Sequence, residues 1–227
     1  MPSREHRIGL LMCEATQNQL LPTLADWQRQ PVDAQLEFRV GRGRATHHRF
    51  DRETRRHRIT YGVKMVAEKA APAHCGGWLS SREIRQRGYF AGELSELNLL
   101  THTCCHEFAH FVQSLMGWRL VGEVHNADFY RVLDHLHDQG HAGRVKTALR
   151  EQARLAGLTL DSTPVQVETA RDLLARFLPG QEVTFGDGHQ GRIVRINRKT
   201  CTVEGTAHCR GLRYRVSPQL LRVVENV

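Results

Sequence analysis

The sequence predicts an α+β chain. An N-terminal domain combines a small antiparallel sheet with a long helix, and a helical spacer leads from it to a C-terminal small β-barrel. Three observations carry this reading. Leu97, Leu100, Cys104, Phe108, Phe111 and Leu115 recur at steps of three or four, the period of a helix with one buried face. Ahead of that helix, Ile59, Tyr61, Val63 and Met65 alternate with polar neighbours, as on one side of a strand. Beyond Pro179-Gly180, short strand-like runs are separated by glycines.

Taken in order, Ile8 to Trp27 carries apolar residues at Leu10, Leu11, Leu20, Leu21, Leu24 and Trp27, which predicts one or two helices interrupted near Pro22. Leu36 to Val40 alternates like a half-buried strand. The Gly41-Arg42-Gly43 turn then predicts a hairpin with Ala45 to Phe50, and a polar turn leads to the Arg58 to Met65 strand. Pro72 to Gly92, rich in Gly, Ser and Arg, reads as an irregular connection or a short helix. The long helix spans about Ser95 to Met116. A second begins at Asn126 as its cap, buries Phe129, Val132, Leu133 and Leu136, and stops near Gln139. Two further helices, Ala142 to Ala156 and Pro164 to Phe177, form the spacer, the latter capped by Ser162 or Thr163. Strands at Glu182 to Phe185, Gly191 to Asn197, Cys201 to Glu204 and Leu212 to Val216 make the barrel.

Bulk properties narrow the classes. With 227 residues, 40% hydrophobic and 25% charged, the chain can fold into two units and is not a disordered polymer. A net charge of +8 and a pI near 9.6 favour polyanionic partners such as nucleic acid. No run approaches the roughly 18 to 20 apolar residues of a membrane span, so a cytoplasmic protein is expected, and its basic charge is compatible with association with the nucleoid. The six cysteines show no CxxC pairing, which predicts reduced thiols, no second, structural zinc and so a single catalytic zinc ion.

The chemistry concentrates in His106-Glu107-Phe108-Ala109-His110. Residues four apart on a helix stand one turn above each other, so His106 and His110 can aim two imidazoles at one Zn²⁺ ion. Glu107 sits where it can act as general base on a metal-activated water. A catalytic zinc keeps three protein ligands and one open position. The third ligand is expected to be His125, which precedes the next apolar helix, with Glu123 as its rival. His102, one turn before His106, is expected at most to stand behind the ligands; it, His135 and His137 read as solvated, as do His47, His48 and His57 among their arginines, whereas Cys104 reads as buried.

His106 to Gln113, followed by Gly122-x-x-His125-x-x-x-Phe129, resembles the SprT-like metalloprotease family, which includes the Spartan proteases that digest protein crosslinked to DNA. The resemblance spans roughly Leu10 to Leu136. It implies a zincin-like metalloprotease domain over 1–140, with His106, His110 and His125 as zinc ligands and Glu107 as catalytic base. The spacer then covers 141–178 and the barrel 179–227. Many bacterial members end in a cysteine-rich zinc ribbon, which this chain lacks. Its C-terminal part is instead similar to KOW- or Tudor-type barrels of nucleic-acid machinery.

The expected function is therefore that of a zinc-dependent endopeptidase acting on nucleic-acid-bound or DNA-crosslinked proteins. The alternative is a nucleic-acid-associated adaptor with a structural zinc and no protease activity. Expected phosphate contacts are Arg42 and Arg44 in the N-terminal hairpin and Arg195, Arg198 and Lys199 in the barrel. Phe185 and Tyr214 are the candidates for base stacking.

Overall fold

The computed structural model describes residues 2–27, 35–166, 170–186 and 188–224. The chain is mixed α+β and divides into two compact units, Met1–Gln166 and Val167–Val227. In the first, α1 (Arg4–Ala15) starts at Ser3, whose side chain accepts from the His6 backbone N–H, and buries Ile8, Met12 and Ala15. The chain widens into a π-helical turn over Thr16–Leu20 and then tightens into a short 3-10 segment, Leu21–Asp26, with Pro22 in its first turn.

Strands β1 (Leu36–Gly41), β2 (His47–Asp51) and β3 (Arg56–Gly62) form a sheet of order β1-β3-β2. The expected hairpin between β1 and β2 is absent and the sheet is not purely antiparallel: β1 runs parallel to β3, and only β2 is antiparallel to it. The cause lies in the connection. Residues 43–45 cross over Gly62, where a Cβ would sit 2.6 Å from the Gly43 carbonyl oxygen, and Gly62 N–H donates to Thr46 Oγ1 at 3.0 Å. That crossing delivers β2 to the far side of β3. It also ends β3 early, so Val63 and Met65 lie in α2 (Val63–Ala70), not in a strand.

Helices α3 (Pro72–Cys75) and α4 (Leu79–Arg87) fill the region read as an irregular connection or a short helix, so the helical alternative holds, and Gly88 stops α4 at φ 75°. Then α5 (Glu96–Leu115) begins at Ser95, whose hydroxyl accepts from Asn98 N–H, and it is buried on nearly every side, not along one stripe. Helix α6 (Ala127–Asp138) starts at its Asn126 cap. Helix α7 (His141–Leu155) packs on α1, α5 and α6, so it belongs to the first unit and is not a spacer.

Downstream of α7, Asp161 O accepts from Leu97 N–H at 3.0 Å and Val165 N–H donates to Leu94 O at 2.6 Å. These bonds tie the segment to the start of α5, and residues 164–166 are not helical as expected. Part of the expected Pro164 to Phe177 helix, residues 167–169, lies outside the described residues. Its remainder is the short α8 (Ala170–Leu174).

In the second unit, β4 (Glu182–Phe185), β5 (His189–Ile196), β6 (Cys201–Gly205), β7 (Arg213–Val216) and β8 (Arg222–Val223) form one antiparallel sheet of order β7-β6-β5-β4-β8. The expected barrel does not close among the described residues: β8 is two residues long and pairs only with β4, leaving β7 as the other edge. Val183, Phe185, Ile193, Cys201, Val203 and Val216 form the core with Leu174, Phe177 and Leu221. No helix among the described residues is long and apolar enough to cross a membrane.

Candidate metal centre

Helix α5 presents His106 and His110 one turn apart, and the loop after it returns His125 to the same point. His125 Nε2 lies 3.3 Å from His106 Nε2 and 3.2 Å from His110 Nε2. Glu123, the rival third ligand, is exposed and belongs to no such group among the described residues.

Hydrogen bonds decide which ring nitrogens carry protons. Asn126 is oriented by backbone at both ends, since Oδ1 accepts from Phe129 N–H at 3.0 Å and Nδ2 donates to Trp118 O at 3.1 Å. Gln113 Nε2 must then donate to Asn126 Oδ1, at 2.9 Å, which turns Gln113 Oε1 toward His110 Nδ1 at 3.4 Å. An oxygen there only accepts, so His110 Nδ1 holds the proton and Nε2 is a bare lone pair. His106 Nδ1 likewise faces Glu83 Oε2 at 3.0 Å. Burial acts to raise the Glu83 pKa, but hydrogen bonds from His102 and His106 override it and hold this carboxyl well below its ordinary range.

Two lone pairs therefore converge on His125 Nε2, which can supply at most one proton, so at least one of them has no hydrogen-bond donor within the cluster. A tetrahedral ion with bonds of about 2.0–2.1 Å spaces its nitrogen ligands by about 3.3 Å. The donor set and spacing fit such an ion. Burial, and then the neighbouring His106 and His125, lower the His110 pKa to about 2, and burial followed by His106 lowers that of His125. Both rings are thereby kept neutral, the form that binds metal.

Glu107 is 5% exposed and its Oε2 has no hydrogen-bond partner among the described residues. Burial raises its pKa, while His106, Lys69 and the His48 backbone N–H pull the other way. It lines a cavity of about 280 Å³ with the three histidines, Lys69, Trp78, Arg119 and the start of β2. The Lys69 ammonium is buried and donates to Ser80 Oγ, Leu99 O and Thr103 Oγ1, and burial depresses its pKa to about 8.

Several expectations about histidines are overturned. His102 is fully buried, with Nε2 2.8 Å from Glu83 Oε2 and Nδ1 3.2 Å from His137 Nε2. His137 is half-buried and stacks on Tyr89, and His135 is half-buried beside Asp26. His48 and His57 are buried too, 3.0 Å apart across β2 and β3, because these positions face Phe111 of α5. His47 is exposed and Cys104 is buried, as read from the sequence.

Compared with protein-family models, curated proteins and solved structures, the chain matches none.

Lys69, Glu83, Gln113 and Arg119 are the participants that the motif did not reveal. Gln113 had a legible signal, lying three residues after His110 on the same helical face. Lys69 had a weaker one, a lysine in register with the apolar Met65 and Val66. Glu83 and Arg119 come from a different helix and a loop, with no spacing to mark them.

The expected nucleic-acid residues fare unequally. Arg44 pairs with Glu68 at 2.8 Å and lies over the Trp78 ring, which engages it at the cavity rim. Arg42 is exposed, as are Arg195 on β5 and Arg198 and Lys199 in the following turn. Phe185 is buried against Tyr214 and is not available to stack on bases.

Proposed function

We propose that this chain is a zinc-dependent endopeptidase of the SprT-like type, with His106, His110 and His125 holding the ion and Glu107 moving the proton. The observation that carries the reading is the convergence of three Nε2 atoms in a cavity also lined by Glu107, whose buried Oε2 has no hydrogen-bond partner among the described residues. Zinc bound there supplies a Lewis acid and brings the acidity of water into the neutral range. Glu107 accepts the proton as water adds to the peptide carbonyl carbon, and returns it to the amine as the C–N bond breaks. Its raised pKa makes it a stronger base, while Lys69 and His106 keep the ionised form within reach.

A peptide substrate is favoured by β2. This is an edge strand, and Thr46, His47 and His48 line the same cavity as Glu107. An extended peptide can pair with that edge as an added strand and bring a carbonyl past the carboxylate. The resemblance to SprT-like proteases supports the same class. The part of the reading that concerns DNA-bound or DNA-crosslinked substrates rests on the net charge of +8 and on exposed Arg195, Arg198 and Lys199.

The test compares wild type with Glu107→Gln for zinc content and for cleavage of a DNA-binding protein, with and without DNA. The variant should retain stoichiometric zinc and lose cleavage by about 10²–10⁴-fold. A variant that holds zinc and cleaves normally would remove Glu107 from the chemistry. Wild type that holds zinc but cleaves no protein would favour the adaptor.

A further inference from the structure

The second unit carries its own convergence of metal-binding donors. His189 opens β5, and His208 and Cys209 lie in the short turn Ala207–Cys209 between β6 and β7. One nitrogen from each imidazole and the Cys209 sulfur lie within 4.8 Å of one another.

The chain is shaped at some cost to bring them together. A Cβ at Gly205 would sit 2.1 Å from the Cys209 carbonyl oxygen, so only glycine allows the turn to fold back on the end of β6. Ala207 adopts φ 50°, the left-handed region that disfavours a residue with a side chain. Bonds from Cys209 N–H to Thr206 O and from Leu212 N–H to Cys209 O close the turn. On the other side, the His189 ring is stacked on Phe185 and set edge-on to Tyr214, with its centroid 5.6 Å from that of His208. Cys209 is 2% exposed, whereas His208 is open to solvent and gives an ion access.

We infer that His189, His208 and Cys209 form a second metal site that takes zinc, with these three as its protein ligands among the described residues. Two imidazoles and a thiolate suit a borderline-soft ion and exclude magnesium and calcium, which require oxygen donors. On binding, the Cys209 thiol releases its proton to solvent and the sulfur coordinates as thiolate. The ion joins the start of β5 to the β6–β7 turn. A fold of about 60 residues buries a small core and gains from such a staple. The expectation of a single zinc weighed only paired cysteines, and this site uses one.

Cobalt(II) titration of the full chain tests it, because thiolate ligation gives a near-ultraviolet sulfur-to-cobalt absorption that the all-histidine site in the first unit does not. Wild type should bind two equivalents, one of them with this band, and zinc should displace it. The band should persist in His110→Ala/His125→Ala, which removes two ligands of the first site, and vanish in Cys209→Ser. Since His208 is exposed, His208→Ala keeps the fold and should lose the same equivalent. A wild-type chain without the band, or undiminished absorption in Cys209→Ser, overturns the assignment.

Discussion

Glu83 and His106 are joined by a 3.0 Å contact between Oε2 and Nδ1, and the same carboxylate oxygen lies 2.8 Å from His102 Nε2. One buried carboxylate thus fixes the ring of a proposed ligand and is itself fixed by a second histidine and by Tyr130, whose hydroxyl donates to Glu83 Oε1 at 3.3 Å. Partners of this kind set both the orientation and the basicity of a ligating imidazole. Glu83→Gln should therefore weaken zinc binding by about 10–100-fold, read by chelator competition. Unchanged affinity would show that Glu83 only fills space.

The third ligand is tested by contrast. His125→Ala removes the nitrogen that meets both His106 and His110, so the first zinc equivalent should be lost. Glu123→Ala removes an exposed carboxylate and should leave zinc content unchanged. The opposite pattern, measured by metal analysis, would reassign the site to Glu123.

Acid sensitivity follows from His48. Burial, then the neighbouring charges of His57 and Arg119, lower its pKa from 6.5 to about 3. In the unfolded chain this ring takes up a proton as the pH falls below about 6.5, while in the folded chain it stays neutral. Its contribution is therefore fully present above pH 6.5 and is lost as the pH falls from there toward 3, by up to about 1.4 kcal/mol per pH unit. His48→Phe, which keeps a ring against Phe111, should flatten this slope in denaturant unfolding of the metal-free chain at pH 7 and pH 5. An identical slope in both proteins would mean that His48 is accessible to protons in the folded state.

Electrostatic binding to DNA has a salt signature. If Arg195, Arg198 and Lys199 meet phosphates, replacing each by Ala should lower the slope of log K against log salt by about 0.9 for every phosphate no longer neutralised, with little dependence on DNA sequence. Arg44→Ala, whose charge is held by Glu68, should change the slope far less. Equal effects at all four positions would indicate a response to net charge alone.

Local sequence determined much of this protein. The α5 and α6 spans, the Ser95 and Asn126 starts and the spacing of His106, Glu107 and His110 depend on contacts within one or two helical turns, so periodicity and capping residues make them legible. His125 was within reach for a related reason, standing directly ahead of a recognisable cap. Tertiary structure alone decided the rest. The order β1-β3-β2 depends on a chain crossing at Gly62, and burial of His48, His57 and His102 depends on what packs over them. Glu83, Lys69 and the His189-His208-Cys209 group are brought into place by elements distant in sequence. A side chain's partner across the fold leaves no periodic trace along the chain, and the energy of burying a polar group is set by that partner.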